Sequence, residues 1–307
     1  MTNSELTQKL MGVVALMLTP FNEDGGIDWE TYAHYTEWQA AKEPSGLFAV
    51  CGSSEMKWLT RDERLQLVKQ TVQYAGDLPV IATGNLDPDP AKHPDEARQI
   101  EDAGASAVVL IPAPTMSGEP DRYYDYLLNM SQQVSCPVYV YEWPQVPNYL
   151  MDNDVFTRLA ENKVIAGIKD TTCTVEGIQA KQNVAKDAVV YQANTAYLME
   201  ALDMGAKGIM AVTSAAKADL VKAFWDAYQT DRDTAIKLHR ELVFLDMLLR
   251  PAYPATAKYI AGLQGMAMST YTRWDVRLTA ETCRSIDAWY EQLEHVLSDS
   301  RKKIQND

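Results

Sequence analysis

The chain has 307 residues, a hydrophobic fraction of 47%, a charged fraction of 23% and a formal net charge of −14. These are the proportions of an ordinary soluble globular protein, long enough for one large α/β barrel with an appendage, and no run of about 18 apolar residues suggests a membrane span. The acidic balance argues against nucleic acid or an anionic membrane as a partner, but an acidic small molecule stays open because the field inside a pocket is local.

From Gly12 to about Tyr228, short apolar runs alternate with amphipathic segments of helical period, the pattern of repeated βα units around a parallel sheet. The first predicted strand is Val13–Thr19. The apolar segment Leu10 to Leu18 resembles a signal-peptide core, but Glu5 precedes it and no small-residue cleavage site follows, so it reads as that strand. Asp28 can cap the first helix, with Ile27 placed to staple against Tyr32. The second strand, Leu47–Cys51, runs into Gly52-Ser53-Ser54-Glu55, and Thr60 with Glu63 forms a capping box for the helix beyond. Strands are predicted at Val80–Gly84, Ala107–Pro112, Val138–Tyr141, Val164–Lys169, Val189–Gln192 and Gly208–Thr213. Pro120 and Asp152 mark the starts of the fourth and fifth helices. Eight units predict a (β/α)₈ TIM barrel over residues 1–230. A doubly wound open sheet fits less well, because no strand is followed by a glycine-rich dinucleotide fingerprint. Beyond Thr230 no strand pattern recurs. Helices are predicted at Asp231–Leu249, Ala255–Gly265 and Trp274–Arg301, making residues 231–307 a helical extension packed on the barrel.

The apolar run Val164-Ile165-Ala166-Gly167-Ile168 ends in Lys169, at the strand end where barrels build active sites. Walled by apolar neighbours, that lysine loses solvation, which disfavours the ammonium and frees the amine to attack a carbonyl. The other reading is a strand-end lysine paired with a carboxylate. Asp170, Thr171 and Thr172 can cap the following helix. Tyr141 ends the preceding strand, and a phenol beside an amine is a usable proton shuttle. The glycine and hydroxyls of the 52–55 loop suit a carboxylate or phosphate oxygen, or belong to an ordinary turn. The histidines at 34, 93, 239 and 295 and the cysteines at 51, 136, 173 and 283 show no metal-ligand or dithiol spacing. Neither metal nor cofactor is therefore expected, and scattered thiols fit a reducing, cytoplasmic location. Tyr123, Tyr124 and Tyr126 read as packing or interface residues, with Tyr123–Leu128 a candidate contact surface between copies.

Taken together, Thr19-Pro20-Phe21, Gly52-Ser53-Ser54-Glu55, Tyr141-x-x-Pro144 and Gly167-Ile168-Lys169-Asp170, in that order, resemble the dihydrodipicolinate synthase and N-acetylneuraminate lyase family. The resemblance covers nearly the whole chain, including Gly205-Ala206-Lys207-Gly208-Ile209 and the helical C-terminal region. It implies that Lys169 forms a Schiff base with pyruvate or another 2-oxo acid, that Tyr141 relays protons, and that Ser53 and Ser54 bind the substrate carboxylate and complete the relay. Gly52, Thr19 and Ile209 would line the substrate site, and the assembly would be a homotetramer. A protonated imine makes C2 an electron sink, so a C3 carbanion is delocalised as an enamine.

The departures bear on the substrate. Ser54 is followed directly by Glu55, where the family usually has an intervening glycine, and Glu142 stands where asparagine is common. The loop after the fourth strand, Ile111-Pro112-Ala113-Pro114-Thr115, lacks the tyrosine that synthases donate to a neighbouring subunit. Gln145, Val146 and Pro147 stand where synthases place an arginine for a distal carboxylate. The expectation is a lyase or aldolase acting on a 2-keto-3-deoxy sugar acid, with pyruvate as product or substrate. The alternatives are a dehydratase of such an acid and a non-catalytic scaffold that binds keto acids.

Overall fold

The computed structural model describes residues 2–112, 116, 118–146 and 149–304, with side chains described through Leu293. Ala113, Pro114, Thr115 and Pro147, the side chain of His295 and the last three residues lie outside the described residues.

Eight parallel strands close into one barrel in chain order: β1 Gly12–Leu16, β2 Gly46–Val50, β3 Val80–Thr83, β4 Ala107–Leu110, β5 Val138–Tyr141, β6 Gly167–Asp170, β7 Val189–Gln192 and β8 Gly208–Ile209. Every strand residue is buried, as a sheet covered on both faces requires. The helices between them are α2 Trp29–Ala40, α3 Arg61–Tyr74, α4 His93–Asp102, α5 Pro120–Ser131, α6 Asn153–Glu161, α7 Val175–Val184, α8 Leu198–Asp203 and α9 Thr213–Thr230. Asp28, the Thr60–Glu63 capping box, Pro120 and Asp152 start their helices as expected. Each satisfies backbone N–H groups that the first turn leaves unpaired, or in Pro120's case lacks that N–H altogether.

The sequence reading missed α1, Asn3–Leu10, which Thr2 and Glu5 start with a reciprocal capping box. Leu10 therefore ends a helix and does not begin a strand, and β1 starts two residues later. Leu10 is fully buried against Gly46, where an added Cβ would lie 2.6 Å from the leucine side chain. Above it, Tyr139 fills the barrel interior over Gly167, whose own Cβ would lie 2.8 Å from the tyrosine ring. Side-chain bulk at one position and glycine at its neighbour keep the lower barrel closed.

Other boundaries differ from the reading as well, β1 ending at Leu16 instead of Thr19 and β6 beginning at Gly167 instead of Val164. Asp170 stays in β6, and Thr174 caps α7 through Gly177 N–H. The eighth strand is only two residues long, and Thr213 opens α9 instead of ending that strand. After α9 come α10 Arg232–Leu249, capped by Asp231, α11 Ala255–Leu263 and α12 Ala280–Ile304. The residues from Trp274 to Thr279, predicted as helical, lie ahead of α12 in irregular backbone. Leu238, Leu242, Leu245 and Leu249 form the buried stripe of α10, which packs on α9. Among the described residues no helix is long and apolar enough to cross a membrane.

Candidate active site

Tyr141 and Lys169 are direct partners in the β5–β6 register, and both side chains point into the barrel at its C-terminal rim. Lys169 Nζ lies 4.1 Å from the Tyr141 ring centroid and 5.7 Å from that of Phe48. The lysine is 4% exposed and makes no ion pair with a carboxylate among the described residues. Burial pulls its amine down to about 8 and pushes the Tyr141 phenol up. The carboxylate-paired reading of this lysine is therefore excluded. Its neighbour Asp170 turns to the opposite face, as strand alternation requires.

On that outer face, Lys181 from α7 reaches Glu142 Oε1 at 2.5 Å, Asp170 Oδ1 at 2.9 Å and Thr172 Oγ1 at 2.7 Å, all buried. Glu142 also accepts the N–H groups of Met151 and Thr171. Burial raises the Glu142 carboxyl, against the pull of the Lys181 ammonium, while both carboxylates hold Lys181 protonated despite its own burial. The cluster ties the ends of β5 and β6 together directly behind Tyr141 and Lys169.

Across the rim, the N–H groups of Gly52 and Ser53 have no acceptor among the described residues. The Tyr141 hydroxyl and the Trp143 indole N–H sit over Gly52, 3.5 Å and 3.7 Å from where a Cβ would be. Ser53 Oγ accepts from the Tyr253 hydroxyl. Ser54 differs: its hydroxyl donates to Cys51 C=O and accepts from Cys51 N–H, locking the turn. Thr19 Oγ1 donates to Ser54 C=O. With no glycine at the loop's fourth position, Glu55 itself takes the left-handed backbone, φ 61° and ψ 34°. Its buried carboxylate pairs with Lys258 of α11 at 3.0 Å and accepts Trp274 N–H.

Of the residues predicted from sequence, the fold thus brings Lys169, Tyr141, Gly52 and Ser53 to one place. Ser54 and Thr19 brace the loop from beneath, with hydroxyls engaged by backbone. Ile209 shares the outward face of Gln192, its register partner, so it does not line the site. The next inward position is Met210, whose N–H continues the ladder to Gln192 C=O. Phe48, Trp143 and Tyr253 were missed. Trp143 carried a signal, because it lies two residues beyond Tyr141 and so continues the same face. Tyr253 carried none, being 200 positions from its partner.

Arg250 is paired with Asp246, and Arg273 with Glu63 and the carbonyls of Gly25 and Trp58. Gln145 is exposed and Val146 buried. A surface depression of about 550 Å³ between α1 and the N-terminal ends of β5 and β6 lies at the opposite end of the barrel and contains none of these groups.

The dihydrodipicolinate synthetase family model matches residues 9–284. A protein of Gluconacetobacter diazotrophicus named 4-hydroxy-tetrahydrodipicolinate synthase is 26% identical over 269 residues, covering 86% of this chain and 90% of that one. Another of the same name, from Afipia carboxidovorans, is 29% identical, covering 85% and 89%. Among solved structures, a prophage protein of E. coli K12 described as belonging to the dihydrodipicolinic acid synthase family, in complex with pyruvate, superposes with a TM-score of 0.85 at 19% identity. That match covers 92% of this chain and 98% of the other. At that identity the likeness shows the fold.

Proposed function

We propose that this chain, which belongs to the dihydrodipicolinate synthetase family, breaks or forms the C3–C4 bond of a 2-keto-3-deoxy sugar acid, with pyruvate as product or substrate. It is an enzyme and a lyase, and its family is one of Schiff-base, pyruvate-dependent aldolases. The observation that carries the reading is Lys169, a buried amine with no carboxylate partner among the described residues, set against the ring of Tyr141.

In this reading the neutral amine attacks the C2 carbonyl and the adduct loses water to give a protonated imine. Tyr141 gives its proton to the departing water and the phenolate so formed takes the proton of the C4 hydroxyl, the C3–C4 electron pair moves into the imine, and an aldehyde departs from the enamine. Protonation at C3 and hydrolysis release pyruvate and restore the lysine. The free N–H groups of Gly52 and Ser53 suit the substrate carboxylate.

What supports a neutral, hydroxyl-bearing chain beyond C3 is the pairing of Arg250 and Arg273 elsewhere, with Gln145 and Val146 where a cation would be needed. A second carboxylate would lack a partner there, at a cost of ~2–5 kcal/mol, or roughly 30- to several-thousand-fold. Incubation with pyruvate and borohydride should add the reduced pyruvyl mass at Lys169, and Lys169→Arg should abolish it, because a guanidinium stays protonated. A label on another lysine, or none, overturns the mechanism. A panel of 2-keto-3-deoxy acids, read by pyruvate release and separately by loss of water, decides between aldolase and dehydratase. In a coupled assay with pyruvate and aspartate semialdehyde, a rate matching the best sugar-acid rate would show the substrate class to be wrong.

A further inference from the structure

The segment between α10 and α11 carries Tyr253 to the rim, where its hydroxyl donates to Ser53 Oγ at 2.5 Å. Ser53 is 2% exposed. A serine hydroxyl has one proton to give and two lone pairs. With one lone pair filled by Tyr253, the Ser53 proton cannot be returned to that phenol. No described protein atom accepts it. The direction left to it is the side where Gly52, the Tyr141 hydroxyl and the Trp143 indole meet.

We propose that Tyr253 is a positioning residue of this site, supplied by the same chain's C-terminal region, that sets the Ser53 rotor so that its O–H is presented to the bound oxo acid or to the Tyr141 phenol. The inference rests on the reading of Lys169 as the imine-forming amine. Two further observations support it. Burial raises the Tyr253 phenol well above its ordinary range, so it remains a donor at any working pH. The segment is also anchored on both sides of the contact. Thr256 donates to Leu249 C=O, and Lys258, two residues further, is buried on Glu55 of the same loop that carries Ser53.

The test uses pyruvate alone, in D₂O, with loss of its methyl protons followed by NMR and imine formation followed by borohydride labelling of Lys169. Exchange requires the imine and then proton removal at C3, so it separates the two events. Tyr253→Phe, which keeps the ring, should slow exchange about 10- to 100-fold while labelling of Lys169 and the melting temperature stay unchanged. Ser53→Ala should produce a loss of similar size, and Ser53→Thr, which keeps the hydroxyl, should restore dependence on Tyr253. Because Tyr253 acts through Ser53, the double variant should be no slower than Ser53→Ala. Unchanged exchange in Tyr253→Phe, or losses that multiply in the double variant, would overturn the inference and leave the imine reading intact. Absence of any label at Lys169 in the unsubstituted protein would overturn both.

Discussion

A lysine buried inside a barrel without a carboxylate partner is destabilising while it is charged, and the size of that effect follows from its titration. Burial lowers Lys169 from an ordinary 10.5 to about 8. Between those values the unfolded chain holds the proton and the folded chain does not, so stability rises with pH in that window, and below pH 8 the penalty is present in full. Lys169→Met should therefore stabilise the fold by about 3 kcal/mol at neutral pH, with the gain vanishing as pH approaches 10.5. Urea titrations at both ends of the range would measure it, and a pH-independent difference would mean that packing, not charge, decides. The same titration predicts that the initial rate of borohydride labelling climbs about tenfold between pH 7 and 9 as the amine is freed. Tyr141→Phe should lower turnover by about 10² to 10⁴ with the fold retained, and an unchanged rate would assign Tyr141 to packing. Lys169 and Tyr141 were legible because each ends an apolar run, which fixes both depth and rim. That Asp170 pairs with Lys181 and not with Lys169 was not legible, because the choice depends on which strand face meets α7.

At the level of elements, the ends of β5 and β6 are held by one buried ammonium between two buried carboxylates. Removing the cation strands both anions, and breaking a buried pair in this way typically costs 3–5 kcal/mol. Lys181→Met should be destabilised by about that amount near pH 8, with the deficit shrinking as pH falls, because the raised Glu142 carboxyl protonates first and relieves the repulsion. Chemical denaturation across pH 5 to 8 would show it, and a deficit that grows toward acid would contradict the charge assignment. Helix starts were readable at Asp28 with Thr31 and at Thr60 with Glu63, where donor and acceptor lie within three residues. The box of Thr2 with Glu5 is equally local, but the apolar stretch beginning at Leu10 obscured it by reading as a single strand. Glu55 with Lys258, 203 positions apart, offers no pattern a linear reading can detect.

The molecule as a whole joins its two halves at the site. Tyr253, Lys258 and Arg273 all reach the segment between Ser53 and Glu63, and Trp58 stacks on Trp274 at 4.8 Å between centroids. In the Tyr123–Leu128 segment, expected as a contact surface between copies, Tyr124, Tyr126 and Leu128 are half-buried and Asp125 is exposed. Tyr123 and Leu127 are buried, and Tyr126 is bonded to Asn85 and His93. The exposed apolar side chains of α10 are Ile236, Phe244 and Met247. A homotetramer is still the expected assembly, and sedimentation showing only monomer at micromolar concentration would contradict it. The Glu55–Lys258 pair also bears on how such chains can be recombined. A crossover near Asp231, between α9 and α10, would place the acid and its base in different parents. A hybrid whose donor lacks a base at position 258 would inherit a buried carboxylate with nothing opposite it, so library designs should keep the 52–55 loop and the 253–258 segment as one inherited block.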